Sequence, residues 1–216
     1  VVRARAPAER QAQRPQRELG GDTHRQQGLG GGVDAGMTGA AGGRGYPNLN
    51  DDDWLWGGKL EDIQYTITHG IRSGAEGARV SQMPAYGRDE MLKPEQIDDL
   101  TEYVVNLSRR PADAGAVARA APLFEAQCSA CHGAEGKGMV ELGAPNLTDA
   151  VWLYGSSEET IAETIRLGRN NMMPAQKERL GEAKVHLLAA YVYSLGGGMP
   201  PLPVTTAAAA TSPPTR

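Results

Sequence analysis

The run Cys128-Ser129-Ala130-Cys131-His132 gathers both cysteines of the chain and one of its four histidines. Thiols at i and i+3 of a helical turn lie on one face, where they can form thioethers with the two vinyl groups of a haem. The imidazole next to them then reaches the iron, and C-x-x-C-H is the attachment pattern of a c-type haem. A zinc site would need about four ligands in a tetrahedral array, and the other histidines, His24, His69 and His186, come with no further cysteine to complete one. A redox disulfide would be expected near a β-α-β pattern, and none is present.

A haem fixed in this way needs a decision about its sixth ligand. Methionine there marks an electron carrier of raised potential, whereas an open position marks ligand binding or catalysis. Met173 lies 41 residues beyond His132, and Pro174 biases it towards an extended loop. Met172 is adjacent, but Met83-Pro84-Ala85 returns as Met173-Pro174-Ala175, which favours Met173 as the ligand. Core packing is the ordinary role of a methionine. Leu123, Phe124, Trp152 and Tyr154 are expected to line the haem pocket or simply the core. Arg166 and Arg169 could meet haem propionates or lie on a solvated helix face, and His69 and His186 are expected to be structural.

The elements that would hold these groups come in two copies. Tyr46-Pro47-Asn48-Leu49 returns as Ala144-Pro145-Asn146-Leu147, and Trp54, Ile63 and Ile67 as Trp152, Ile161 and Ile165, all displaced by 98. The Met-Pro-Ala strings are displaced by 90, which fits a longer loop around 73–80 in the first copy. Ile97, Leu100, Tyr103, Val104 and Leu107 return as Val185, Leu188, Tyr191, Val192 and Leu195, displaced by 88. Their spacing predicts an amphipathic helix at the end of each copy, with Pro94 in a first turn. Shorter helices are expected over 59–71 and 158–167. Pro122 suggests a helix that starts near it or kinks there. With no alternating strand pattern, the expected class is all-α.

A net charge of −4 excludes the strongly basic signature of a nucleic-acid binder. The longest apolar runs, such as 187–193, are far shorter than the ~20 residues of a membrane-spanning helix. Residues 1–45 are rich in Arg, Gln, Ala and Gly with no aromatic residue, and low hydrophobicity of this kind reads as disorder. The Pro/Ala/Thr-rich stretch 200–216 reads as a frayed tail.

The strings Gly45-Tyr-Pro-Asn-Leu-Asn-Asp-Asp-Asp-Trp-Leu-Trp-Gly-Gly58, Ile67-Thr-His-Gly-Ile-Arg72 and Met83-Pro-Ala-Tyr-Gly87, beside the second-copy C-x-x-C-H, resemble those of the dihaem subunit III of cbb3-type cytochrome c oxidases, the CcoP or FixP subunit. The resemblance runs from about Gly42 to Gly198 and implies two tandem class I cytochrome c-like domains, the first incomplete. In that family, N-terminal membrane helices anchor two haem domains on the periplasmic side, which relay electrons from soluble cytochrome c donors towards the oxygen-reducing subunit. It further implies that Cys128 and Cys131 bind a haem, that His132 is its proximal ligand, and that Met83 and Met173 are the distal methionines.

The chain departs from the family upstream. Gly30, Val33 and Asp34 stand where the first attachment motif belongs, Arg25 and Gln26 stand for Leu123 and Phe124, and no membrane anchor is seen. One covalent haem c is therefore expected, with residues 1–41 a disordered stretch explained by a frameshift or a mistaken gene start. The remaining divisions expected are a truncated domain over 42–110, a complete cytochrome c domain over 111–199, and the tail over 200–216. Without its own first helix, the first domain's apolar face at Ile97, Leu100 and Val104 is expected to lack packing and to leave that half less stable. Other functions to weigh are a diffusible periplasmic cytochrome, a cytochrome subunit of a dehydrogenase, a haem peroxidase-like enzyme and a defective gene product. Other oxidase subunits are the expected partners of the leading reading.

Overall fold

A computed structural model describes residues 38–195, all within one unit, Asp34–Arg216. His24, Gly30, Val33, Asp34, most of the 1–41 segment and the 200–216 tail lie outside the described residues. Within the described part of the 1–41 segment, a 3-10 turn spans Thr38–Ala40, and the Ala40 carbonyl accepts the Leu49 amide at 2.8 Å.

Helices carry the described part, as expected for an all-α chain, and β-pairing is limited there to isolated bridges. The first copy supplies α1 (Leu60–His69) and α2 (Pro94–Leu107). The second supplies α3 (Ala114–Gln127), the single turn α4 (Ser129–His132), α5 (Glu158–Leu167), α6 (Lys177–Leu180) and α7 (Glu182–Ser194). None of these helices is long and apolar enough to cross a membrane.

Local chemistry explains the boundaries. Pro94 opens α2 where its missing N–H is not needed, and the Gln96 side chain accepts the Lys93 amide at 2.9 Å. Asp113 caps α3 by accepting the Ala116 amide at 2.6 Å. Gly70, Gly168 and Gly181 close α1, α5 and α6. Of the two expectations for Pro122, a helix starting near it is not met, since α3 begins at Ala114 and contains Pro122. The ring removes an N–H to the Ala118 carbonyl, but Ala118 and Pro122 are both exposed, so water can satisfy the freed oxygen.

The packing does not follow the order of the repeats. Two buried clusters form, and each mixes the copies. Tyr86, Leu92, Ile97, Leu100, Val104 and Val105 of the first copy join Ala120, Phe124, Ile161 and Ile165 of the second. Ile63 and Ile67 of the first join Val185, Ala189 and Val192 of the second. Thus α2 packs on α3 and α5, and α1 packs on α7. The apolar face expected to be bare is instead buried: Ile97, Leu100 and Val104 are 4%, 1% and 7% exposed. On α7 the matching Val185 and Val192 are buried as well, at 2% and 8%, while Leu188 at 37% and Tyr191 at 60% are exposed.

The exchange is reciprocal at the level of backbone hydrogen bonds. Met83 and Arg169 trade amide-to-carbonyl bonds at 3.1 Å each, and the Tyr86 amide donates to the Ile165 carbonyl at 3.1 Å. Met173 and Ile71 trade the same pair at 2.9 Å, and the Gln176 amide donates to the Ile67 carbonyl at 3.0 Å. Each Met-Pro-Ala loop, with the helix that follows it, sits on the other copy's middle helix. Glycine permits both approaches. At Gly168 (φ +68°) an added Cβ would lie 2.4 Å from the Met83 carbonyl oxygen, and at Gly70 (φ +72°) it would lie 2.3 Å from that of Met173.

Candidate haem-attachment site

The attachment turn grows directly out of α3. Asp113 to Gln127 delivers Phe124 to the core, where it is 2% exposed, and the Cys128 amide donates back to the Phe124 carbonyl at 2.8 Å. The chain then makes one more turn: the amides of Cys131 and His132 both donate to the Cys128 carbonyl, at 3.1 and 2.9 Å. Both cysteines and the histidine therefore sit on one rigid helical turn, as the motif requires.

The His132 ring is oriented from behind. Its Nδ1–H donates to the Pro145 carbonyl at 3.0 Å, which fixes the tautomer and leaves Nε2 as the lone-pair nitrogen. The loop that brings Pro145 there is tied down by Gly138 N–H to the His132 carbonyl at 2.8 Å and by Leu147 N–H to the Gly136 carbonyl at 2.7 Å. Gly138 (φ +79°) matters because a Cβ would fall 2.5 Å from the Ala144 oxygen and 2.7 Å from the Pro145 carbonyl carbon. Burial pulls the His132 pKa below its ordinary value against the raising effect of the Pro145 bond, which favours the neutral, ligand-competent imidazole. Burial, then the neighbouring Cys131, pushes the Cys128 thiol up to about 11.

Around this turn, Leu123, Leu147, Trp152 and Met83 pack on the same apolar cluster as Cys128. Tyr86 closes that side. It is 7% exposed and its hydroxyl donates to the Gln127 carbonyl at 2.6 Å. Its phenol is pushed above the usual value by burial and then by Cys128 and Cys131. The structure does not bring Met173 to this group: Met173 packs with Ile63, Ile67, Leu49 and Trp54 in the other cluster, because its loop hydrogen-bonds to Ile71.

The remaining candidates find structural partners. The Arg169 guanidinium lies 3.9 Å from the Tyr154 ring centroid and donates to Thr164 Oγ1 at 2.6 and 3.1 Å. Arg166 is exposed on α5. His69 Nδ1 donates to the Glu76 carbonyl at 2.7 Å, and His186 Nδ1 lies 3.1 Å from Gln64 Oε1. Sequence reasoning missed Tyr86 as a group next to the cysteines. A signal existed in the repeat, since Met83-Pro84-Ala85-Tyr86 stands against Met173-Pro174-Ala175-Gln176. It also missed Arg79, whose guanidinium lies 5.0 Å from the Trp56 ring centroid and 5.1 Å from that of Tyr65.

The donor set suits a covalent haem: two thiols on one turn, an imidazole with its far nitrogen anchored, and an apolar wall. Comparison with known proteins agrees. Residues 23–108 match the family described as cytochrome c, and residues 115–192 match cytochrome c oxidase, cbb3-type, subunit III. The chain is 54% identical over 162 residues to the cbb3-type cytochrome c oxidase subunit FixP of Bradyrhizobium sp. (strain ORS 278), covering 74% of this chain and 56% of that protein. It is 49% identical over 162 residues to the subunit CcoP of Cereibacter sphaeroides, with the same coverage, and 47% identical over 170 residues to that of Rhodobacter capsulatus, covering 74% and 57%. The chain thus spans a little over half the length of these relatives. With its two cytochrome c-type repeats and all-α fold, it belongs to the family of cbb3-type cytochrome c oxidase subunit III.

Proposed function

We propose that this chain is a haem c electron-transfer segment of a cbb3-type oxidase, relaying electrons from soluble cytochrome c donors towards the oxygen-reducing subunit on the periplasmic side of the membrane. The observation that carries the reading is the Cys128-Cys131-His132 turn with the His132 ring held by Pro145 at 3.0 Å. The Cys128 and Cys131 thiols would add across the two vinyl groups, each giving its hydrogen to the adjoining carbon. His132 Nε2 would be the proximal ligand. When bound, the haem supplies a one-electron couple between ferric and ferrous iron. The surrounding protein contributes ligation, burial and hydrogen bonding.

One haem per chain follows from the two cysteines. Electron relay without substrate chemistry follows from a sixth position filled by methionine. Redox titration of the protein made in cells with haem-attachment machinery tests the reading: a single reversible one-electron step, with no fast carbon monoxide binding to the ferrous form, supports it. Rapid carbon monoxide binding would contradict it and favour a peroxidase-like site.

A further inference from the structure

Resting on the haem reading above, we infer that Trp56 of the first repeat is a positioning residue for the His132 imidazole, because its indole holds the loop whose Pro145 carbonyl accepts the ring N–H. That loop begins just past the attachment turn. Met139 and Ala144 trade amide-to-carbonyl bonds at 3.1 Å each, so residues 140–143 form a closed tip, a 3-10 turn over Val140–Leu142 followed by Gly143 at φ +60°. Pro145 follows this closure directly, and its carbonyl lies 3.0 Å from His132 Nδ1. The tip rests on the first repeat. A Cβ added at Gly143 would fall among Cε2, Cζ2 and Cδ2 of the Trp56 indole, and the Ser81 hydroxyl donates to the Leu142 carbonyl. Trp56 is in turn held by Arg79, whose guanidinium lies 5.0 Å from the ring centroid, with Nη2 donating to the Trp56 carbonyl at 3.2 Å and Nε to Thr66 Oγ1 on α1 at 3.0 Å.

The same arrangement recurs with the copies exchanged. Tyr154 stands 98 residues after Trp56, and Gly45 stands 98 before Gly143. The Tyr154 ring lies against Gly45, where an added Cβ would meet Cε1 at 3.3 Å. Arg169 lies 3.9 Å from the Tyr154 ring centroid and bonds Thr164, as Arg79 bonds Thr66. The two arginines are 90 residues apart rather than 98, so the pairing survives the longer loop of the first copy. Each copy thus lends an aromatic ring, backed by arginine on a threonine, to the glycine two residues ahead of the other copy's proline. In the second copy that proline holds His132. A partner that accepts from a metal-bound imidazole fixes the ring and raises its basicity, and a more basic imidazole favours ferric over ferrous iron. Removing the indole frees the tip, loosens the Pro145 carbonyl and weakens that donation.

The test uses the full chain carrying its haem and reads two quantities, the midpoint potential and the exchange of the His132 Nδ1 proton with solvent, followed by NMR. Trp56→Ala should raise the potential and speed the exchange by about tenfold, the lower end of what outer partners of a metal-bound imidazole contribute. Trp56→Phe, which keeps a ring over Gly143, should return both towards the unmutated values. Gly143→Ala disturbs the same contact from the loop side and should shift both in the same direction as Trp56→Ala. It decides the matter if Trp56→Ala does not fold. A folded variant of either kind with unchanged potential and exchange, and only a lowered melting temperature, would reduce Trp56 to packing and overturn the inference while leaving the haem reading standing. Absence of any covalent haem in the unmutated chain would defeat the haem reading itself and the inference with it.

Discussion

The Tyr86 hydroxyl of the first repeat donates to the Gln127 carbonyl of the second at 2.6 Å, joining a loop three residues past Met83 to the turn that carries Cys128. Such a bond contributes about 1 kcal/mol net. Tyr86→Phe should lower stability by about that much, measured by denaturant unfolding, with the apolar packing of the ring retained. A loss near zero would mean that the hydroxyl does not hold the loop.

Leu100 and Leu188 occupy equivalent positions in the two repeats but not equivalent environments, at 1% and 37% exposed. Leu100→Ala should cost about 2–5 kcal/mol, and Leu188→Ala under about 1 kcal/mol. Equal losses in chemical denaturation would argue against the exchanged packing of α2.

That contrast marks what could be read in the sequence. The helices could, because Ile97, Leu100, Val104 and Val185, Val192 recur with helical spacing, and C-x-x-C-H names its own chemistry. The partner of each helix could not. Ile63 and Ile67 match Ile161 and Ile165, so α2 meets nearly the same apolar face on either copy, and periodicity carries no preference between them. The decision lies in the linker of residues 108–113 and in the Tyr86–Gln127 bond, which are contacts in space. For the same reason the Met-Pro-Ala repeat identified Met83 and Met173 as a matched pair without showing which cluster each one enters.

Asp99 on α2 and Arg119 on α3 form a bidentate pair, with Nη2 to Oδ1 at 2.6 Å and Nε to Oδ2 at 2.9 Å. The Arg119 hydrogen bond holds the Asp99 carboxyl below its ordinary value of 3.8. A depressed folded value means that the contribution is fully present above about pH 3.8 and is lost as pH falls through the folded value. Asp99→Asn should flatten the acid side of the stability profile, and added salt should weaken the pair in the unmutated chain. An acid limb identical in both proteins would remove this pair from the account.

Pro122 interrupts the hydrogen bonding of α3 at an exposed position without ending the helix. Alanine in a helix interior is favoured over proline by roughly 3 kcal/mol, so Pro122→Ala should raise the melting temperature. A lowered one would show that the ring sets the path of the chain into Cys128.

The central claim is that the Cys128–His132 turn carries a single covalent haem, and intact mass of the full chain purified from cells with haem-attachment machinery tests it most directly. The account predicts the polypeptide plus one haem, and the bare polypeptide for the double substitution Cys128→Ala, Cys131→Ala. A bare polypeptide from the unmutated chain, or a mass with two haems, would contradict it.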